Sequence, residues 1–439
     1  MNMILRTSLL TLAALSFACG GEKSAPPPPK TEPVVAKVEP TPQPASLSAG
    51  TRRLAEAQEI LTRDPENLYG YQLLASAWMF RARETGDFSL NTKADQALTK
   101  AQQLEVDNPI TQRLQAVMFL TWHQFEQALD LGRKLILANP RDHEAWGVVV
   151  DALVELGRYP EAIEAADAMV TVRPNAASYS RVSWLRTLHG DDAGAVEAMR
   201  MAVSAADAGD REGLAWFQVH LAQTLANVGQ VDEALGEVER ALVIFPNYPA
   251  ALTWKGHLTA RKGDIQGAVS LLESATQRLP LPDTLIYLGD LYARLGRAND
   301  AQKQYELATA VEGGAPGLEG KQGVWSRRLA LMWADQDINL EQAETIARKE
   351  RETRQDVFSH DLLAWILLKR GKTSEALKES ELALRLGTHD AGLYYHRGMI
   401  HLARGDKKGA KEFLEKALGV DPAFDVVQAN IAREKLAGL

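Results

Sequence analysis

Residues Gly229–Lys262, GQVDEALGEVERALVIFPNYPAALTWKGHLTARK, and the stretch that follows, Gly263–Leu295, GDIQGAVSLLESATQRLPLPDTLIYLGDLYARL, are two copies of one design. Each opens on a glycine, sets down two alanines (Ala234 and Ala241, then Ala268 and Ala275) and breaks at a proline, Pro246 or Pro280. Apolar residues recur three and four apart between the glycine and the proline, which is the period of an amphipathic helix, and a second such run follows the break. Alanines at fixed places let an antiparallel neighbour approach closely, and the terminal Pro or Gly stops the helix so that the chain can reverse.

The same order appears on both sides of this stretch. Upstream it reads Gly157, Ala162 and Pro174; downstream it reads Gly296, Ala301, Ala308, then Gly371, Ala376, Ala383, then Gly405, Ala410, Ala417, Pro422. The turn glycines lie 34 residues apart from Gly229 to Gly263, 33 from there to Gly296, and 34 from Gly371 to Gly405. A period of this length marks a stack of helix pairs that share one continuous core. The first helix of each pair supplies the large side chains: Trp146 and Trp325 head two units, and Leu288, Gly289 and Tyr292 set small beside large, in part again at Gly256 and Gly398.

With an aromatic at the fourth place, Leu-Gly at the seventh and eighth, Tyr at the eleventh and Ala at the twentieth and twenty-seventh, the chain from about Leu68 to Pro422 resembles the tetratricopeptide repeat. The resemblance implies an all-α, right-handed α-solenoid of about ten helix pairs, closed by Thr51–Arg63 at one end and Phe424–Leu436 at the other. Three departures are expected as surface loops: an insertion from Arg83 to Asn91, a second helix of the fourth unit stretched through Ala205 to Asp210, and a glycine-rich stretch from Glu312 to Gly323. The carboxyl half, with Ala330, Asp335, Asp361, Ala364, Trp365, His389, Asp390 and His396, resembles a subset of exported bacterial members of that family.

In that family the first helices line a concave groove. Carrying the groove places over gives Asp151, Trp184, Trp216, Gln223, His257, Asp290, Asp361, Trp365 and Tyr395, with Arg294 and Lys369 beside them. The resemblance therefore implies an acidic groove with aromatic anchors for a protein or peptide partner. Packing of Trp184, Trp216 and Trp365 against neighbouring helices is the other reading of the same residues.

Ahead of the repeats, residues 1–18 combine Arg6 with an apolar run from Ser8 to Ala18 and read as an export signal. That run is too short for a permanent span of a bilayer about 30 Å thick. Cys19, the single cysteine, follows at once with Gly20 and Gly21. This resembles the lipobox of bacterial lipoproteins, although Ser16 stands where Leu is usual and Leu15 lies one step earlier. The resemblance implies a lipid-anchored chain, Gly20 favouring the outer membrane. Ser16 and Ala18 also fit ordinary cleavage, which would leave a soluble periplasmic protein. Residues 19–49 are expected as an anchor and a Pro-rich tether, and residues 50–439 as the solenoid.

The net charge of −8 leaves no basic stripe for phosphate, so nucleic acid is not expected as a partner. Lys407, Lys408, Lys411 and Lys416 alternate with Glu412 and Glu415 as a salt-bridged face. No glycine-rich phosphate loop, nucleophile elbow or HExxH helix occurs, and no enzyme or cofactor is expected. A metal between repeats would have to use His360, His389, His396 and His401, but His396 and His401 are five apart and diverge around a helix. The expectation is an envelope-tethered interaction scaffold. An assembly or maturation factor for secretion, pilus or cofactor-protein biogenesis is the alternative, and the oligomeric state is left open.

Overall fold

A computed structural model describes residues 48–313 and 327–439. The export segment, Cys19 and the tether as far as Leu47 lie outside the described residues, as do Trp325 and most of the glycine-rich stretch.

Every regular element among the described residues is helical. A first helix, α1 (Ala49–Arg63), is followed by ten antiparallel pairs: α2 (Leu68–Thr85) with α3 (Asn91–Leu104), α4 (Pro109–Thr121) with α5 (Phe125–Ala138), α6 (His143–Glu155) with α7 (Tyr159–Val172), α8 (Ala176–Leu188) with α9 (Asp192–Ser204), and α10 (Arg211–Asn227) with α11 (Val231–Ile244). The series continues with α12 (Pro249–Arg261) and α13 (Ile265–Arg278), α14 (Pro282–Arg294) and α15 (Ala298–Gly313), α16 (Arg327–Asp335) and α17 (Leu340–Thr353), α18 (Val357–Lys369) and α19 (Thr373–Ala383), and α20 (Ala391–Ala403) and α21 (Lys407–Val420). A closing helix, α22 (Gln428–Ala437), ends the array. Consecutive helices pack on one another throughout, which makes an all-α solenoid.

The repeated residues act locally as their chemistry requires. Ala162, Ala234, Ala241, Ala268, Ala376, Ala410 and Ala417 are wholly buried between paired helices. Gly256 and Gly289 extend this close approach from the other side: a Cβ on either would lie 2.4 Å from Leu272 Cδ2 or Tyr305 Cε1. Aspartates such as Asp191, Asp264 and Asp406 then cap the second helices by accepting amides three residues on.

Three boundaries differ from the sequence reading. Ser48 caps α1 by accepting the Thr51 amide, so the helix already includes Ala49. The second helix of the fourth unit stops at Ser204, because Ala206–Asp210 turns and Asp210 caps α10 instead. The closing helix starts at Gln428 rather than Phe424, since the Asp425 carboxylate takes the Val427 and Gln428 amides and fixes a turn there.

The array also meets itself, which no local pattern announced. The loop from α17 to α18 lies on the turn between α6 and α7. Gln355 N–H donates to the Glu155 carbonyl at 2.8 Å, and Val357 N–H donates to Tyr159 Oη at 3.0 Å. Arg354 reaches Glu155 at 2.6 Å and lies over the Phe125 ring. One unit further along, Thr388 donates to the Leu188 carbonyl, 200 residues away, and His389 bonds Asp192. Val357 is fully buried in the apolar cluster built by α4–α8, with Phe358 and Leu386 packed against it. A like contact stands earlier, where Gly86 faces Leu279 and Leu281. The turns joining the helices of one pair thus touch the loops between pairs five to six units later.

Gly157 and Gly190 record this seam. A Cβ at Gly157 would fall 2.4 Å from the Gln355 carbonyl oxygen, and one at Gly190 would fall 2.5 Å from that of Gly387. Gly229 has the same positive φ but nothing within 4 Å. Gly229→Ala should therefore cost only the left-handed backbone penalty of about 1–2 kcal/mol. Gly157→Ala should cost about 1–3 kcal/mol more, because backbone cannot yield as a side chain does. Equal losses in denaturant melts of the two variants would show that the seam does not form.

Candidate functional site

The groove places fall into two groups. In the amino half they are partly open. Asp151 on α6 forms a two-pronged ion pair with Arg181 of α8, at 2.8 and 2.6 Å, which ties successive first helices together. Trp184 is 43% exposed and stacks on Phe358 across the seam, with ring centroids 5.9 Å apart. Trp216 stacks on His220 at 3.6 Å, and Gln223 lies half-buried one turn further along α10. His257 is sandwiched between Trp254 and Tyr287. Burial pushes His220 down to about 4; burial, with Arg261 adding to it, pushes His257 down to about 3. Both imidazoles are neutral, and their role is to stack.

In the carboxyl half the groove is closed. Trp365 is only 3% exposed, donates Nε1–H to Asp335 at 2.8 Å, and carries His396 on its face with centroids 4.2 Å apart. Asp361 is buried and accepts from His396 Nδ1 at 2.8 Å. Tyr395 is 1% exposed, with Phe424 5.5 Å from it. Asp290 accepts the Tyr305 hydroxyl at 2.8 Å. Lys369 is held over the Trp365 ring and paired with Asp337, while Arg294 stays exposed at the end of α14. Trp365, Asp361 and Tyr395 are thus inside the protein rather than on an open groove wall. The physical reason is that His396 of the next first helix closes over Trp365 and Asp361, while Phe424 of the segment from Asp421 to Leu439 covers Tyr395 and Gln428 binds Asp335.

That segment brings in residues the site reading lacked. Gln428 donates to Asp335 at 2.7 Å, and Arg261, at the end of α12, binds Asp421 at 3.0 Å. Phe424, Val426, Ile431 and Leu436 pack on the core that holds Tyr287, Leu291 and Tyr395. Asp425 joins two other carboxylates. Burial, with Asp425 adding to it, holds Asp290 well above the usual carboxylate range. Asp335 is pushed up to about 6 by lost hydration and by Asp425, against the pull of His396 and Lys369. His396 is raised: burial opposes its charge, but Asp361, with Asp335 and Asp390 beyond, outweighs burial.

The four histidines weighed for a metal each have a different carboxylate: His360 with Glu379, His389 with Asp192, His396 with Asp361 and His401 with Asp406. Among the described residues no group of three or more ligating side chains gathers. No described helix is long and apolar enough to cross a membrane.

Family models described as tetratricopeptide repeat match residues 391–424 and, with a second model of the same description, residues 123–179, 150–211 and 220–281. These spans fall on the helix pairs and carry the buried Ala162, Ala234, Ala241, Ala268, Ala410 and Ala417. The chain is a tetratricopeptide-repeat protein. No curated protein matches it in sequence. Among solved structures the repeat array is similar to human IFIT1, seen as a dimer with PPP-AAAA, at 15% identity and a TM-score of 0.46 over 85% of this chain and 91% of that one. It is similar also to a tetratricopeptide repeat protein from Parabacteroides merdae, at 20% identity and a TM-score of 0.34 over 60% and 97% of the two chains. A third is PilW, a widely conserved type IV pilus biogenesis factor, at 18% identity and a TM-score of 0.40 over 50% and 96%. At these identities and scores the likenesses say nothing of what this tetratricopeptide array binds.

Two outcomes follow for the groove. Trp365→Ala should cost about 3–5 kcal/mol of folding stability through a cavity, whereas Trp184→Ala should cost much less, as a half-exposed ring; thermal melts of both variants decide it. The second concerns pH. Asp335 binds its proton more tightly in the native protein than when unfolded, so its contribution is complete below about pH 4 and is lost as pH rises through about 6. Its neighbours that share this charge balance are Asp290, Lys369, His396 and Asp425. Asp335→Asn should therefore flatten the fall in stability between pH 4 and 7, by about 1 kcal/mol or less given its contact with solvent. An unchanged slope would place Asp335 in ordinary water.

Proposed function

We propose that this protein is an interaction scaffold of a bacterial envelope, held to a membrane by a lipid on Cys19 and binding a protein or peptide partner on the concave side of its repeats. The repeat family is a protein-interaction fold, and that coarse role rests on the family match. The observation that carries the finer reading is the amino-half groove, where Trp184 remains 43% exposed although its neighbours in the core are closed. An aromatic left open beside a paired Asp151 and Arg181 is the kind of anchor that dominates protein interfaces. The anchor and location rest on the sequence alone: the apolar run, Cys19 and the Pro-rich tether.

The test uses the native envelope. A photo-crosslinking amino acid at Trp184 should give a discrete protein adduct, whereas the same group at Glu164, exposed on α7, should give none. Cys19→Ser should move the protein from the membrane to the soluble fraction or stop its processing, with the helical content unchanged. Adducts at Glu164 alone would move the binding surface to the other side. A wild-type protein found wholly in the soluble fraction would remove the anchor.

A further inference from the structure

The segment Asp421–Leu439 does more than close the end of the array. A cap has only to cover the open face of the last pair, and α22 does rest on α21. The segment also reaches Arg261 of α12, four pairs back, and Asp335 of α16, two pairs back. It is attached by side chains. Its apolar residues Phe424, Val426, Ile431 and Leu436 are only half-buried, and its one helix has ten residues, too few to hold together in water without a surface to lie on.

Its charge fits the surface at one point and not at another: Asp421 pairs with Arg261, whereas Asp425 brings a carboxylate toward two others. Asp425 is placed where Asp290 and Asp335 already stand, and all three carboxyls are held above their ordinary range, burial first and one another's charge adding to it for Asp290 and Asp335. For Asp290 and Asp335 a neutral or basic side chain in the place of Asp425 would be the better neighbour, although His396 and Arg261 favour the Asp425 charge itself. The Asp425 carboxylate does cap the start of α22, which offsets part of the repulsion.

We propose that Asp421–Leu439 is an internal ligand of the concave face of α14–α20, and that this face takes an outside partner only when the segment leaves. The partner it fits is a segment shaped as this one is, a turn that offers apolar residues in the places of Phe424 and Val426, then a short helix with apolar residues in the places of Ile431 and Leu436, and a basic residue where Asp425 stands. This rests on the reading of the concave side as the binding side, and it assigns to the carboxyl half of that side an occupant and a release step. Tethering explains how an imperfect ligand holds: a segment joined through a few residues is present at an effective concentration in the millimolar range.

The test keeps the chain whole. Two proteins are compared, the unaltered chain and Phe424→Ala/Gln428→Ala, which weakens the segment and leaves the face intact. Hydrogen exchange of α22 should quicken at least about tenfold in the variant while α21 stays unchanged, since the segment opens as a unit of its own. A fluorescently labelled synthetic peptide of Asp421–Leu439 should bind the variant at least about tenfold more tightly than the unaltered chain, whose own segment competes at millimolar effective concentration. The same peptide with Asp425→Lys should bind more tightly still. Acceleration of α21 together with α22, or release of α22 without a gain in peptide binding, overturns the proposal and makes the segment a structural end-piece. Peptide binding that behaves as stated, with no crosslinked partner at Trp184, would leave the internal ligand standing and remove the scaffold reading.

Discussion

At Gly157 the left-handed turn that the repeat glycines share also brings the carbonyl of Gln355 to the place where a side chain would begin. This close approach, with the Gln355 amide returning to the Glu155 carbonyl and the like contacts of Gly190 and Thr388 one unit on, marks how far the array coils before it meets itself. A stack of helix pairs with only nearest-neighbour contacts is an extensible coil, whose curvature follows from small rotations between units. Contacts between residues about two hundred apart remove that freedom. They make Val357, the first residue of α18, part of the core of α4–α8. The segment from Asp421 then meets Arg261 of α12 at one point and Tyr395 of α20 at another.

The local half of this structure was legible in the sequence because its causes are local. A buried alanine, a turn glycine and a capping aspartate each act within one helix pair, and their spacing recurs every 33 or 34 residues. The ten pairs and the two end helices follow directly from that. The seam was not legible, since Glu155 and Arg354 carry no mark that distinguishes them from the many charged residues on exposed helix faces. Gly190 is a partial exception: it stands in a turn beside a capping aspartate, as Gly263 and Gly405 do, but whether a turn glycine faces solvent or a distant carbonyl is a property of the whole coil.

The same distinction explains the site. Family places gave Trp365, Asp361 and Tyr395 their positions on the first helices, and the structure keeps them there. Their exposure depended on what lies against them, which is His396 for Trp365 and Asp361 and Phe424, near the end of the chain, for Tyr395. The apolar spacing after Pro422 announced a helix without saying which surface it would cover. Trp184 is the reverse case, left open although it too stacks on a residue from the far side of the seam.

Central to this account is that the loop before α18 is held by the turn between α6 and α7, and native-state hydrogen exchange of the Gln355 and Val357 amides tests that most directly. Gln355 lies in a loop and Val357 is the first residue of a helix, so neither amide has a partner within its own unit. If the seam is formed, both exchange nearly as slowly as Ile366 in the middle of α18, because their acceptors are Glu155 and Tyr159. If both exchange as fast as open loop amides while Ile366 stays protected, the repeats stack without meeting themselves, and the closed carboxyl-half groove loses its foundation.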